Sequence, residues 1–317
     1  NSRQLPWRVS KKSPKKLYYR LLSEFMLQQT QVKTVIPYFN KFTTEFPSLS
    51  SLSRCNQSKI LKLWEGLGYY RRAKNLLLTS KILVNKKKSK LPKTIDEIKE
   101  LPGIGDYTAN ALLGLVHNQP TIAVDGNVKR IFSRILNKDK NKIDFNNMIN
   151  QNKKNLFNSK RNADFVEAIM EFGALICKPK NPECNKCYIK NSCISNKLKK
   201  NFQNIKKENI IVKKYDIFCH LNKNKKQIAL TKHNNLGFLK KFNLPGVKES
   251  SQKKINKKWK LLCSYNNFIS NKKLKINLYY KFSSKIPSKF RWYTFQNNKE
   301  LIPSFTKKIF KQVSVLY

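Results

Sequence analysis

Acidic residues are scarce in this chain: 18 Asp and Glu stand against 66 Lys and Arg, for a formal net charge of +48 over 317 residues. That imbalance points to a polyanionic partner, DNA or RNA ahead of a membrane surface. Part of it follows from composition, because the chain is rich in Lys, Asn and Ile, as an A+T-rich coding sequence produces. No apolar run approaches the length of a bilayer-spanning helix, so no membrane association is expected. The opening residues NSRQLPWRVSKK lack the apolar core of a signal peptide. There is no internal repeat. Three cysteines, Cys55, Cys219 and Cys263, have no evident partners, which fits a reducing, cytoplasmic setting beside the nucleoid.

The length allows two domains. Residues 16 to about 195 read as mostly helical. Leu21, Phe25, Val32, Ile36 and Phe39 share a face at helical spacing. The polar run Gln28-Gln29-Thr30-Gln31 interrupts it, with Thr30 expected to cap the next helix. Thr94-Ile95-Asp96-Glu97 has the form of a capping box. Residues 196–210 are polar and basic and read as a linker. From 211 to 317 the segments IIVKKYDIFCHL, QIALTKH, KLKINLYYKF and FRWYTF read as strands, followed by a helix from Pro303 to Val315.

Four cysteines fall in one short stretch: Cys177, Cys184, Cys187 and Cys193, spaced C-x6-C-x2-C-x5-C. Only the inner two form the C-x2-C pair typical of zinc ribbons. Four thiolates without histidine also suit a [4Fe–4S] cluster, and the spacing leaves both open. Upstream, LPGIGDYTANALL at 101–113 has the pattern of a helix–hairpin–helix. Gly103 and Gly105 free the turn to adopt conformations closed to other residues. The amides there and the following helix N-terminus make a site for one DNA phosphate, which fixes position and reads no sequence. Then comes AVDGNVKRIFSRIL, with Asp125, Asn127 and Lys129. By itself Asp125 reads as a helix cap.

Taken in order, these motifs resemble the MutY family of adenine DNA glycosylases, within the helix–hairpin–helix glycosylase superfamily. The likeness covers LPWR, SEFMLQQTQVKTVIPYF, WEGLGYYRRAKNL, LPGIGDYTANALL, AVDGNVKR, FGALIC and the cysteines, over residues 5–195; beyond residue 211 it is faint. It implies a mainly α helix–hairpin–helix glycosylase domain with a cluster loop at 1–195, and an α+β Nudix-like lesion-recognition domain at 211–317. It also implies a monomer that removes adenine mispaired with 8-oxoguanine or guanine in double-stranded DNA, and a [4Fe–4S] cluster on the four cysteines. By the family's roles, Glu24 is the general acid and Asp125 the carboxylate facing the sugar cation. Tyr107 assists near the sugar, and Asn127 orients Asp125. Trp7, Arg8, Leu27 and Glu167 line the adenine pocket, and Gln29 and Tyr69 fill or wedge the stack. Gly103, Gly105 and Lys129 meet DNA phosphates.

Two other readings compete. An endonuclease III-like glycosylase and strand-cleaving lyase shares the hairpin, the Asp and the cluster, but needs a lysine nucleophile where this chain has Tyr107, and tyrosine forms no Schiff base. A non-catalytic DNA-binding iron–sulfur protein has no need of Glu24, Asp125 and Asn127. In the C-terminal half, pyrophosphate hydrolysis is not expected, because Glu249 is the single acid between Gly246 and Cys263 and Mg²⁺ needs clustered carboxylates. The family's lesion-reading loop aligns with SYNNFISNKKL at 264–274, putting Ser270 among the contacts to 8-oxoguanine.

Overall fold

A computed structural model describes residues 3–157, 159–199, 211–234, 239, 242–250, 255–269, 272–295 and 302–317. It divides into two units, Asn1–Ile205 and Lys206–Tyr317. No helix of it is long and apolar enough to cross a membrane, among the described residues.

The first unit is helical: α1 Lys16–Leu27, α2 Val32–Glu45, α3 Leu49–Ser53, α4 Gln57–Leu63, α5 Arg71–Lys86, α6 Ile95–Lys99 and α7 Asp106–His117. Then follow α8 Gly126–Leu136, α9 Phe145–Gln151, α10 Lys153–Leu156, α11 Asn162–Glu171, a π-helical turn Phe172–Ile176, and α12 Ile194–Lys197. Helix α1 is the axis of the core. Leu21, Leu22, Phe25 and Met26 are wholly buried on it, among Phe39 and Phe42 of α2, Leu76 of α5 and Leu112 of α7. Removing such apolar surface from water is the main force holding the unit together.

The hairpin forms where the sequence places it. Thr94 caps α6 by accepting from the Glu97 amide, and α7 starts at Asp106. Gly103 takes a left-handed φ of +82°, and a Cβ there would stand 2.5 Å from Asn75 Nδ2. The hidden Thr79 hydroxyl donates to Pro102 O at 3.0 Å and ties the turn to α5. Gly105 differs from expectation: its φ is −104° with an extended ψ. A Cβ built there would meet nothing within 4 Å, so neither the backbone nor the space around it demands glycine at this position. Thr30 also differs. Helix α2 is preceded by Gln31 with no side-chain cap, because the Thr30 hydroxyl is engaged by Arg72.

The second unit is a mixed sheet with a helix on one face, an α+β Nudix-like domain. Its strands are β1 Ile211–Asn222, β2 Gln227–Leu230, β3 Gly246–Glu249, β4 Lys260–Ile269, β5 Lys272–Phe282 and β6 Arg291–Thr294. They run in the order β4-β5-β1-β2-β6, with β3 also paired to β1. Strands β1 and β5 are parallel; the other pairs are antiparallel. Alternation sends Ile217, Cys219 and Leu221 to one face. There they meet Phe305, Ile309 and Val313 of the final helix, α13 Ser304–Val313. The aligned lesion loop is for the most part strand: 264–269 belong to β4 and 272–274 to β5. The polar run SYNNF hid β4, whose side chains pair across to β5 with little apolar alternation.

Candidate active site

The N-terminal ends of α7 and α8 bring Tyr107 and Asp125 toward Glu24 of α1. Glu24 is 5% exposed on α1, among the fully buried Leu21 and Phe25. Burial pushes its carboxyl up to about 7; Arg20 and a hydrogen bond from Tyr107 pull it down, and Asp125 pushes it up again. The Tyr107 phenol is raised far beyond its ordinary range, first by burial and then by Glu24 and Asp125. It is therefore a neutral hydroxyl that donates to Glu24.

Asp125 has a different environment. It caps α8: Oδ1 accepts from the amides of Asn127 and Val128, each at 2.8 Å, and Oδ2 accepts from Asn127 Nδ2 at 2.7 Å. Three N–H donors fix this carboxylate in one orientation. Cap and site residue are thus one and the same here, and the first does not exclude the second. Asn127 is held in turn, since its Oδ1 accepts from Arg130 Nη2 at 2.9 Å. Arg130 also donates to Cys177 O and Gly173 O, at 2.9 and 2.8 Å. A Cβ on Gly173 would stand 2.7 Å from that of Asn127, so the glycine lets the π-helical turn close on Asn127. Arg130 and Gly173 escaped the sequence reading; only the FGALIC stretch signalled them.

The four residues expected to line an adenine pocket differ in their surroundings. Trp7 is buried, edge-on to Phe39 at 5.3 Å, and Leu27 is half-buried at the end of α1. Arg8 Nε approaches Glu167 Oε2 at 3.3 Å, and its Nη2 approaches Glu171 Oε1 at 3.1 Å. Glu167 Oε1 also accepts from Arg20 Nη2. Burial alone would push Glu171 up, but Arg3 and Arg8 hold it below its usual value.

Gln29 and Tyr69 share an unusual backbone: their φ values are +57° and +47°. Such values are costly for bulky residues and collect at functional sites. Tyr69 is 51% exposed. Both loops converge on Arg72, whose guanidinium donates to the carbonyls of Phe25, Met26, Gln28, Leu67 and Gly68. It also lies under the Tyr69 ring, 5.6 Å from the centroid. Lys129 is exposed on α8, over the Phe145 ring.

Cys177, Cys184, Cys187 and Cys193 line one cavity, with Ile131, Ile135 and Ile176 among its apolar walls. Burial first, and then the neighbouring thiols, push the Cys184 thiol up. Arg134 Nη1 lies 3.4 Å from Cys177 Sγ and binds the Lys178 carbonyl. The thiols are not drawn to a single point: among the described residues no three Cys, His, Asp or Glu side chains could hold one metal ion.

In the second unit, Ser270 lies outside the described residues. Two features there were not anticipated. Phe268, at the end of β4, is 61% exposed. A cleft of about 350 Å³ is lined by Lys232, His233, Lys289, Arg291 and Tyr293.

Residues 22–154 match the model of the HhH-GPD superfamily of base excision DNA repair proteins. An adenine DNA glycosylase of Buchnera aphidicola subsp. Baizongia pistaciae is 40% identical over 240 residues, 75% of this chain and 67% of that protein. One from Buchnera aphidicola subsp. Schizaphis graminum is 37% identical over 295 residues, 87% of this chain and 76% of that protein. The chain belongs to the adenine DNA glycosylase family. The human member is 34% identical over 198 residues, 60% of this chain and 36% of its own length. Among solved structures, a thermostable thymine-DNA glycosylase superposes with a TM-score of 0.54 and 25% identity, over 62% of this chain and 89% of that one. Family membership accounts for the order of hairpin, Asp-Gly-Asn and cysteines along the chain.

Proposed function

We propose that the chain is a monofunctional adenine DNA glycosylase. It acts as a cytoplasmic monomer on duplex DNA in which adenine is mispaired with 8-oxoguanine or guanine. The observation that carries this reading is the pairing of two carboxylates in unlike surroundings. Glu24 is buried and pushed up to about 7; Asp125 is held by three N–H groups. The buried acid is placed to donate a proton, and the hydrogen-bonded carboxylate is held in place to face the sugar.

The extruded adenine enters between Trp7, Leu27, Arg8 and Glu167. Glu24 gives its proton to the adenine ring. The C1′–N9 bond then breaks with its electron pair leaving on the base. Asp125 faces the resulting sugar cation, kept in place by Asn127, as one of two carboxylates that divide the work. Water adds at C1′ and releases a proton. Tyr107 holds Glu24 by a hydrogen bond and offers no amine, so the abasic strand stays unbroken. Gln29 and Tyr69 fill the space the base vacates, and Gly103, Gly105 and Lys129 meet backbone phosphates.

Cys177, Cys184, Cys187 and Cys193 would hold a [4Fe–4S] cluster, which four thiolates without histidine suit. All four line one cavity with apolar walls, which would shield such a group from water. Its role would be structural: ligation by the four cysteines would fix the loop that carries Lys178, Lys180, Lys186 and Lys190. Ser270 is assigned to the lesion strand on alignment.

Single-turnover excision from duplexes with adenine opposite 8-oxoguanine, guanine or thymine tests the reading. Adenine release from the first two, with strand scission only after alkali, is expected. Scission that keeps pace with base loss would sink it.

A further inference from the structure

We infer that Arg20 is a positioning residue for excision: it fixes the Glu167 carboxylate at the adenine pocket and sets a permanent positive charge one helical turn from Glu24. The inference rests on the reading of Glu24 as general acid.

Arg20 and Glu24 stand four residues apart on α1 and so share a face. Arg20 is 7% exposed. A buried guanidinium is commonly spread over several backbone carbonyls, as Arg72 is here. Arg20 instead gives Nη2 to a single carboxylate, that of Glu167. Its Nε has no partner among the described residues. An unpaired buried N–H is a standing cost, and such exceptions call for an explanation beyond packing.

The explanation lies in what the guanidinium faces. Glu167 is gripped from two sides, Oε1 by Arg20 and Oε2 by Arg8 at 3.3 Å. The carboxylate cannot turn, so its remaining lone pairs keep one direction. Around Glu24 the charged and titratable groups are few. Arg20 comes from α1 itself, Tyr107 from α7, and Asp125 from the cap of α8. Arg72 of α5 binds carbonyls at the end of α1, and Glu167 of α11 stands behind Arg20. Burial raises the Glu24 carboxyl, and Arg20 is the largest influence against it. Without that charge Glu24 holds its proton more firmly and to higher pH.

The test is the pH profile of single-turnover excision by the cluster-loaded full chain, for wild type, Arg20→Leu, Arg20→Gln, Arg20→Lys and Glu24→Gln. In wild type the rate falls above about pH 7, as Glu24 loses its proton. Both neutral variants move that alkaline limb up by about one pH unit; Gln serves if Leu does not fold. They also weaken the excision complex several-fold, because Glu167 is freed. Arg20→Lys leaves the limb where it was while still weakening the complex, since an ammonium keeps the charge but lacks the fork. A folded neutral variant that lowers the rate by one factor at every pH, with the limb unmoved, overturns the inference. A wild type without an alkaline limb, or an active Glu24→Gln, overturns the reading of Glu24 itself, and the inference with it.

Discussion

Replacing Arg72 by lysine should cost more than its conservative appearance suggests. The guanidinium serves six acceptors: the carbonyls of Phe25, Met26, Gln28, Leu67 and Gly68, at 2.5 to 3.2 Å, and the Thr30 hydroxyl at 3.1 Å. It is 7% exposed, and burial lowers its proton affinity to about 10. A lysine ammonium has three donors on one point and cannot span both loops. If two or three of these acceptors lose their partners, at roughly 1–3 kcal/mol each, a loss of about 3–5 kcal/mol in stability follows.

The functional loss should exceed what unfolding explains, because Arg72 holds the loops that keep Gln29 and Tyr69 at positive φ. With the clamp loosened, both relax toward ordinary backbone and no longer fill the stack. Urea unfolding measures the first effect. Single-turnover excision at low temperature, where the variant stays folded, measures the second, and a drop of about 10- to 100-fold is expected, the equivalent of about 1.4–2.8 kcal/mol. A duplex whose adenine lies opposite an abasic gap needs less extrusion and should recover most of the rate. Stability within about 1 kcal/mol of wild type, or equal loss on both substrates, would refute the reasoning.

Glu24→Gln should abolish excision, by at least about 10²–10⁴-fold, while mispair binding persists in a gel-shift titration; excision within a few-fold of wild type defeats the assignment. The same variant should gain stability at alkaline pH. Glu24 is raised from 4.5 to about 7 in the folded chain, so wild type loses stability as pH rises through that window. The variant should lead by about 3 kcal/mol at pH 8 and by nothing below pH 4.5, as paired urea titrations would reveal. Gly173→Ala should slow excision at least ten-fold by pushing Asn127 off Asp125, since its new Cβ would lie 2.7 Å from that of Asn127; rate and structure of the variant check it. Anaerobically purified protein should hold about four irons per chain and no zinc, and DNA affinity should fall steeply with salt. Phe268→Ala should reduce the preference for 8-oxoguanine over guanine more than Ile269→Ala does, because only Phe268 offers an exposed ring at that end of β4; equal ratios of excision rate dismiss it.

What was legible in the sequence was whatever local chemistry dictates. Thr94 with Glu97, the Pro-Gly turn at Pro102 and the apolar face of α1 are short-range signals, and each lands where it was expected. The long-range partners were not legible. Nothing in the tripeptide Tyr-Arg-Arg says that Arg72 rather than Arg71 turns inward to bind the end of α1. That is decided by which face of α5 meets the core. Arg130 reaches Cys177 across 47 residues of chain, a distance no motif encodes. Strand β4 was missed because its register is set by pairing with β5 along its whole length, and not by alternation within itself. Thr30 was misjudged for a similar reason: a hydroxyl positioned to cap a helix was taken by an arginine from another element.

The same contrast bears on the charge. The chain has 56 lysines and 10 arginines. Among the described residues no lysine is buried, whereas Arg20, Arg72 and Arg134 are. An ammonium is strongly hydrated and costly to bury; a guanidinium loses less and repays it with several directed bonds. Lysine can therefore accumulate on the surface with little effect on the fold, raising attraction to any polyanion. Arginine cannot be exchanged so freely, because each buried one answers a particular set of oxygens. Arg72 takes the end of α1, Arg134 the cysteine loop, and Arg20 the pocket glutamate. The surplus of +48 draws the chain to DNA of any sequence. The few buried arginines contribute little to that total and instead hold particular elements of the first unit together.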